Sequence, residues 1–218
     1  MYKKKFNNLI STKTLLISVN IVIIIEFLAV YCISTNLLKP VIATGFARIL
    51  QLVSIVLIAL LFNSGLNSIG LSRDRILPGI KAGLIWSFIF ALLAALGFSI
   101  LLIWYNNPLK FIHTKLPETN YDLFLYFIIG GFVAPFCEEI FFRGIIYGFF
   151  RKWGILTALL LSSIIFVLLH PIKTGLPITQ LVGGLVFALS YEKTRSLITP
   201  FIIHFLGNTA IFVLSINN

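Results

Sequence analysis

Residues 136–144 read Phe-Cys-Glu-Glu-Ile-Phe-Phe-Arg-Gly, and they sit inside an apolar run from 122 to 150. After Asp122, the charged side chains of that run are Glu138, Glu139 and Arg143. The run is too long and too apolar for an ordinary surface helix. The composition of the whole chain agrees: 59% of the 218 residues are hydrophobic and 11% are charged, against about 25% charged in soluble domains. Mean hydropathy is +1.03. A soluble fold of this size cannot bury so much apolar surface, whereas a bilayer accepts spans of roughly 20 apolar residues. The runs are continuous, which excludes the alternating pattern of a β-barrel.

Outward from this stretch, apolar segments lie at 15–33, 41–63, 80–104, 155–170, 177–191 and 198–216, making seven with 122–150. The expected fold is all-α, a polytopic membrane helical bundle of about 7–8 transmembrane helices with its functional core in the last four. Eight would result if Gly130, Gly131 and Pro135 divided the long fourth segment. The net charge of +10 does not indicate a nucleic-acid partner, because the cations lie between apolar runs and form no single patch. Lys3, Lys4, Lys5, Lys13, Arg73, Arg75, Lys81, Arg151, Lys152, Lys193 and Arg195 fall on one side, and Lys39, Lys110, Lys115 and Lys173 on the other. The positive-inside rule then places the N-terminus in the cytoplasm. The first span has no small-residue cleavage site behind it and reads as a retained anchor. Cys32 and Cys137 both lie in apolar runs and read as unpaired thiols.

Ionisable side chains within spans are costly and face a partner or a water-filled cavity. Glu26 and Arg48 each lie eleven residues from the turn near Leu37, so a helical hairpin brings them to one depth. A structural ion pair is the default reading, and substrate contact has no independent support. Glu138 and His170 each lie sixteen residues from Gly154, roughly 24 Å along their helices. A hairpin places them side by side if its Arg-Lys-Trp-Gly tip projects from the membrane. Glu139 and Arg143 are four residues apart and share a helix face. His204 and Asn208 have the same spacing, and His204 lies nine residues beyond Arg195.

Such a set suits hydrolysis, in which a water is activated, an oxyanion held and a leaving amine protonated. Glu138 with His170 can serve the first need, and His204 with Asn208 the second. Glu139 and Arg143 support them. Neither a Gly-x-Ser-x-Gly elbow nor an HExxH motif is present. Cys137 adjoins Glu138, but a thiol in an apolar helix lacks the electropositive, accessible setting of a reactive one. Zinc held by Glu138, His170 and His204 is neither demanded nor excluded by the spacing.

The pattern Glu138-Glu139-x-x-x-Arg143, then Phe166-x-x-x-His170, then the stretch from Gly183 through Tyr191, Thr194 and Ser196 to His204-x-x-x-Asn208 resembles the CPBP family of CAAX proteases and bacteriocin-processing enzymes, also called Abi. The resemblance covers residues 122–212 and departs from no motif position. It implies an intramembrane endopeptidase in which Glu138 and His170 activate water, His204 and Asn208 hold the oxyanion, and Glu139 and Arg143 support the site. It further implies a glutamate mechanism without metal cofactor, zinc being the alternative, and a peptide or protein substrate that is membrane-associated, prenylated CAAX-type or a leader peptide. Two other roles compete: bacteriocin self-immunity or regulation by binding, and a channel or transporter pathway. Residues 1–105 read as an N-terminal part of three spans and 122–216 as the catalytic membrane core. The richness in Lys, Asn and Ile points to an AT-rich genome and the cell membrane of a prokaryote.

Overall fold

A computed structural model describes residues 10–63, 65–104, 112–170 and 177–216. Lys3, Lys4, Lys5, Lys110 and Lys173, used above for orientation, lie outside the described residues. Among those described there are seven long helices and no strand. They are α1 (Thr12–Ser34), α2 (Pro40–Phe62), α3 (Ile76–Trp104), α4 (Asn120–Trp153), α5 (Ile155–Leu168), α6 (Ile178–Thr194) and α7 (Ile198–Ser215). The seven apolar segments thus become seven helices, and the chain is an all-α polytopic membrane bundle. Helices α1, α2, α3, α4 and α7 are long and apolar enough to cross a bilayer. At 14 and 17 residues, α5 and α6 are about 21 and 26 Å long, shorter than a hydrocarbon core of about 30 Å.

The outer helices begin and end on local signals. Ser11 caps α1, its hydroxyl accepting from the Thr14 N–H at 3.0 Å. Pro40 opens α2, where a missing N–H costs nothing. The Thr14 hydroxyl donates to Asn63 Oδ1 at 3.0 Å and ties the start of α1 to the end of α2. Helix α3 keeps little of itself from its surroundings: Leu84, Ile85, Phe88, Leu92, Leu93 and Leu96 are all exposed, as a lipid-facing helix requires. It meets α7 through two glycines. A Cβ at Gly83 would lie 2.7 Å from the Ile202 Cβ, and one at Gly79 would overlap Ser196 Oγ. The Thr199 hydroxyl donates to the Gly79 carbonyl at 3.2 Å in the gap so created.

Helix α4 is the axis of the bundle. Every residue from Glu139 to Phe149 is buried, and Ile140, Ile145 and Tyr147 join Ile55, Ala59, Phe166, Ala188 and Leu197 in one core. Gly130, Gly131 and Pro135 do not divide it. The backbone widens into π-helical turns over Phe127–Val133 and Ile140–Tyr147 and remains helical throughout. In the first of these turns the Ala134 N–H bonds to the Ile129 carbonyl, five residues back. Continuing that pattern, Pro135 would serve the Gly130 carbonyl, but proline has no N–H.

The depth of α4 follows from its neighbours. The Tyr147 hydroxyl donates to Glu192 Oε2 at 2.7 Å, and Arg151 donates to both Glu192 oxygens at 3.0 and 2.9 Å. The short turn Leu66–Ile69 packs at the same level, with Ile69 Cβ 3.0 Å from where a Gly144 Cβ would lie. It closes on Gly70, whose φ of +83° favours glycine and whose missing side chain leaves room for the Tyr191 ring. The Gly70 carbonyl accepts from the Leu197 N–H at 3.0 Å. The α4–α5 tip, closed by Gly154 at φ +114°, is anchored to the end of α6 by these Tyr147 and Arg151 bonds to Glu192.

Candidate active site

Four helices bring polar side chains together in this bundle. Helix α4 supplies Glu138, Glu139 and Arg143. Helix α7 supplies His204, α2 supplies Arg48 and Gln51, and the end of α5 supplies His170. Glu138 is nine residues from Tyr147, about 14 Å along α4, and His204 is eight residues from Ser196, about 12 Å along α7. Both therefore stand at one depth inside the bundle.

The two oxygens of Glu138 face different partners. Oε2 lies 3.7 Å from His170 Nε2 and 3.8 Å from His204 Nε2. Oε1 lies 3.9 Å from Arg48 Nε. Each separation is too long for a direct hydrogen bond. A water seated beside such a pair, off the line joining the two atoms, can hydrogen-bond to both.

The far nitrogens of the two imidazoles fix their tautomers. His170 Nδ1 lies 2.6 Å from the Phe166 carbonyl, which can only accept, so Nδ1 carries the proton. In the neutral ring Nε2 is then an acceptor aimed at Glu138. His204 Nδ1 lies 2.9 Å from Glu139 Oε1, and a carboxylate likewise accepts. Both rings are also held by their faces. His204 stacks on Phe187 with centroids 4.6 Å apart, and His170 tilts against Phe166 at 4.2 Å.

Glu139 and Arg143 are fully buried and form the expected pair. Arg143 Nε meets Glu139 Oε2 as an ion pair at 3.1 Å, off the hydrogen-bond axis. Arg143 Nη2 donates to the Gly184 carbonyl at 3.2 Å. The rings of Phe166, Phe187 and Phe142 surround the guanidinium at 4.8, 5.2 and 5.7 Å, where their faces favour a cation. One chain of contacts thus runs from Arg143 through Glu139 and His204 to Glu138.

Asn208 takes a place that its spacing does not disclose. Its Nδ2 donates at 3.0 Å to the Gly130 carbonyl, the acceptor that Pro135 leaves unserved. One of its two N–H groups is therefore committed to α4. Glu26 and Arg48 form the predicted pair across the α1–α2 hairpin. Gln51, missed in the sequence, joins them: its Oε1 accepts from Arg48 Nη1 at 2.8 Å, and its Nε2 donates to Glu26 Oε1 at 3.0 Å. An amide three residues from an arginine in an apolar run was the available signal. The Cys137 thiol is buried and donates weakly to Gln51 Oε1 at 3.6 Å, a packing role. Thr194 and Ser196 are spent on backbone, donating to the Ser190 and Arg75 carbonyls. As to zinc, no group of three or more His, Cys, Asp and Glu side chains among the described residues is arranged to hold a metal ion.

This arrangement falls within one stretch that known proteins share. Residues 120–210 match the family model described as type II CAAX prenyl endopeptidase Rce1-like. Those residues form an Rce1-like segment. All six side chains singled out by the motifs lie in it, whereas Glu26, Arg48 and Gln51 lie outside. Among curated relatives, the Bacillus subtilis protein named "Putative membrane peptidase YdiL" is 34% identical over 94 residues, covering 42% of this chain and 38% of the relative. The Staphylococcus aureus protein named "Membrane-embedded CAAX protease MroQ" is 29% identical over 120 residues, covering 52% and 45%. The chain thus spans less than half the length of the curated relatives it matches. No solved structure matches it.

Proposed function

We propose that this protein is an intramembrane endopeptidase that hydrolyses a peptide bond with a water activated by Glu138 and His170. The observation that carries the reading is the convergence of His170 Nε2 and His204 Nε2 on one oxygen of Glu138 at 3.7 and 3.8 Å. A water beside the Glu138–His170 pair donates one hydrogen to Glu138 Oε2 and the other to His170 Nε2. Its oxygen then attacks the scissile carbonyl carbon as Glu138 takes a proton. The new carbon–oxygen bond forms as the carbonyl becomes an oxyanion. When the oxyanion collapses, the carbon–nitrogen bond breaks and Glu138 returns its proton to the leaving amine. No acyl-enzyme forms.

The oxyanion needs donors. His204 serves through Nε2 when that nitrogen is protonated, with Glu139 and Arg143 fixing the ring from behind. The second N–H of Asn208 is the remaining candidate, its first being held by Gly130. Residues 122–216 supply the reacting groups in this reading, and residues 1–105 the spans packed against them. The N-terminus is cytoplasmic in the cell membrane of a prokaryote, which puts the site about 12–14 Å from the cytoplasmic ends of α6 and α7. The substrate is a membrane-associated peptide, of prenylated CAAX type or a leader.

The test is cleavage in detergent micelles by wild type on prenylated CAAX-type and leader peptides, with and without chelator, products identified by mass. The expected result is a single internal cut that survives the chelator. Loss of the cut on chelation and its return with zinc would overturn the metal-free mechanism. Absence of any cut by a folded sample, together with protection of cells against a bacteriocin, would favour the immunity reading.

A further inference from the structure

Arg48 belongs to α2, outside the Rce1-like segment, yet its guanidinium is drawn toward the reacting carboxylate. Its Nη1 is occupied by Glu26 and by Gln51 Oε1. Its Nε is buried without a hydrogen-bond partner and lies 3.9 Å from Glu138 Oε1. A buried N–H left unpaired is costly, and a small rotation of the Glu138 carboxylate brings an acceptor to it. Glu138 has few other ways to be held. Arg143 is committed to Glu139, and both imidazoles address Oε2. Glu26 and Gln51 limit how far Arg48 can advance, since together they fix Nη1 on the α1–α2 side.

We propose that Arg48 is a positioning residue for Glu138, reserving Oε1 so that Oε2 alone meets the water it shares with His170. This rests on the peptidase reading and deepens it. A bidentate Arg48–Glu138 pair would take both oxygens from the reaction. An absent cation would leave the carboxylate free to turn either oxygen, or neither, to the water. The Glu26–Gln51 clasp holds the guanidinium between these extremes. The N-terminal helices thereby complete a site whose other members all lie in 120–210.

The test uses the full chain in detergent and compares kcat and KM for Arg48→Gln, Arg48→Lys, Glu26→Gln and the double variant Glu26→Gln/Arg48→Gln. Arg48→Gln is expected to lose about tenfold to a hundredfold in kcat, the range of one hydrogen bond to a charged group. KM should change less than about threefold, because the contact orients the base and does not bind substrate. Arg48→Lys should recover part of the loss, and Glu26→Gln, which weakens the clasp but keeps an acceptor for Nη1, should lose less than Arg48→Gln. The double variant should be as slow as Arg48→Gln. Recovery in the double variant would overturn the proposal, since it would show that only the stranded Glu26 charge had mattered. A second measurement does not depend on turnover: the Tm of Arg48→Gln, Glu138→Gln and both together. Non-additive shifts are expected from a direct contact, and additive shifts would overturn it. If wild type cleaves nothing, the peptidase reading fails by itself, and the Tm cycle still decides whether Arg48 acts on Glu138.

Discussion

Two arginine–glutamate pairs stand on either side of Glu138, and they differ in almost everything but chemistry. Glu139 and Arg143 lie four residues apart on one helix with side chains 0% exposed. Glu26 and Arg48 lie on two helices with side chains 43% and 20% exposed. The inner pair is caged by three phenyl rings and a backbone carbonyl. The outer pair shares its contacts with an amide and reaches toward Glu138. Burial decides what each pair can do. An ion pair sealed from all sides has one geometry and serves as a fixed support. A half-buried pair between helices can be adjusted, and is suited to tuning a neighbour.

The greatest loss is expected at the inner pair. Arg143→Ala leaves the Glu139 charge buried and uncompensated, and it is expected to cost about 3–5 kcal/mol of stability. The cost would appear as lost folded yield and a lower Tm in detergent. Wild-type yield and Tm would contradict the support role. An intermediate effect is expected at Asn208. Asn208→Ala removes the partner of the part-buried Gly130 carbonyl, at about 0.5–1.5 kcal/mol, the net worth of one hydrogen bond. Adding Pro135→Ala supplies the missing backbone N–H, so the double variant should recover Tm. It should not recover activity if the second amide N–H serves the oxyanion. Recovery of both would reduce Asn208 to a helix support. The smallest effect belongs to the outer pair. Glu26→Gln keeps the shape and the hydrogen-bonding atoms, and should cost no more than about 1 kcal/mol, the usual scale for an ion pair that is not fully buried. A Tm loss as large as that of Arg143→Ala would erase the distinction between the pairs.

The sequence disclosed the inner half of this site far better than the outer. Charges are so rare in the apolar runs that Glu138, Glu139, Arg143, His170 and His204 announce themselves, and counting residues from each turn matched their depths. The seven helices were legible for the same reason, since each is an apolar run bounded by charges, glycines or prolines. Three things were not. Gln51 is uncharged and passes unnoticed, although it organises Glu26 and Arg48. Glu192 falls one residue past the apolar segment 177–191 and is not singled out by the sequence, whereas it binds Tyr147 and Arg151 and ties α4 to the end of α6. The bond from Asn208 to Gly130 depends on a π-helical turn, and no local pattern in 127–135 distinguishes that turn from a simple proline bend. The bonds of Glu192 and Asn208, and that of Gln51 to Glu26, join segments distant in the chain, where helical spacing carries no information; only the bond of Gln51 to Arg48 is local.

If Glu138 activates the attacking water, replacing one oxygen of that side chain removes the base and leaves the fold. Glu138→Gln has nearly the same volume and should fold. On a peptide that wild type cleaves, single-turnover rates for the two proteins should differ by about a hundredfold to ten-thousandfold, as expected when a catalytic base is removed. Turnover by folded Glu138→Gln at the wild-type rate would contradict the account.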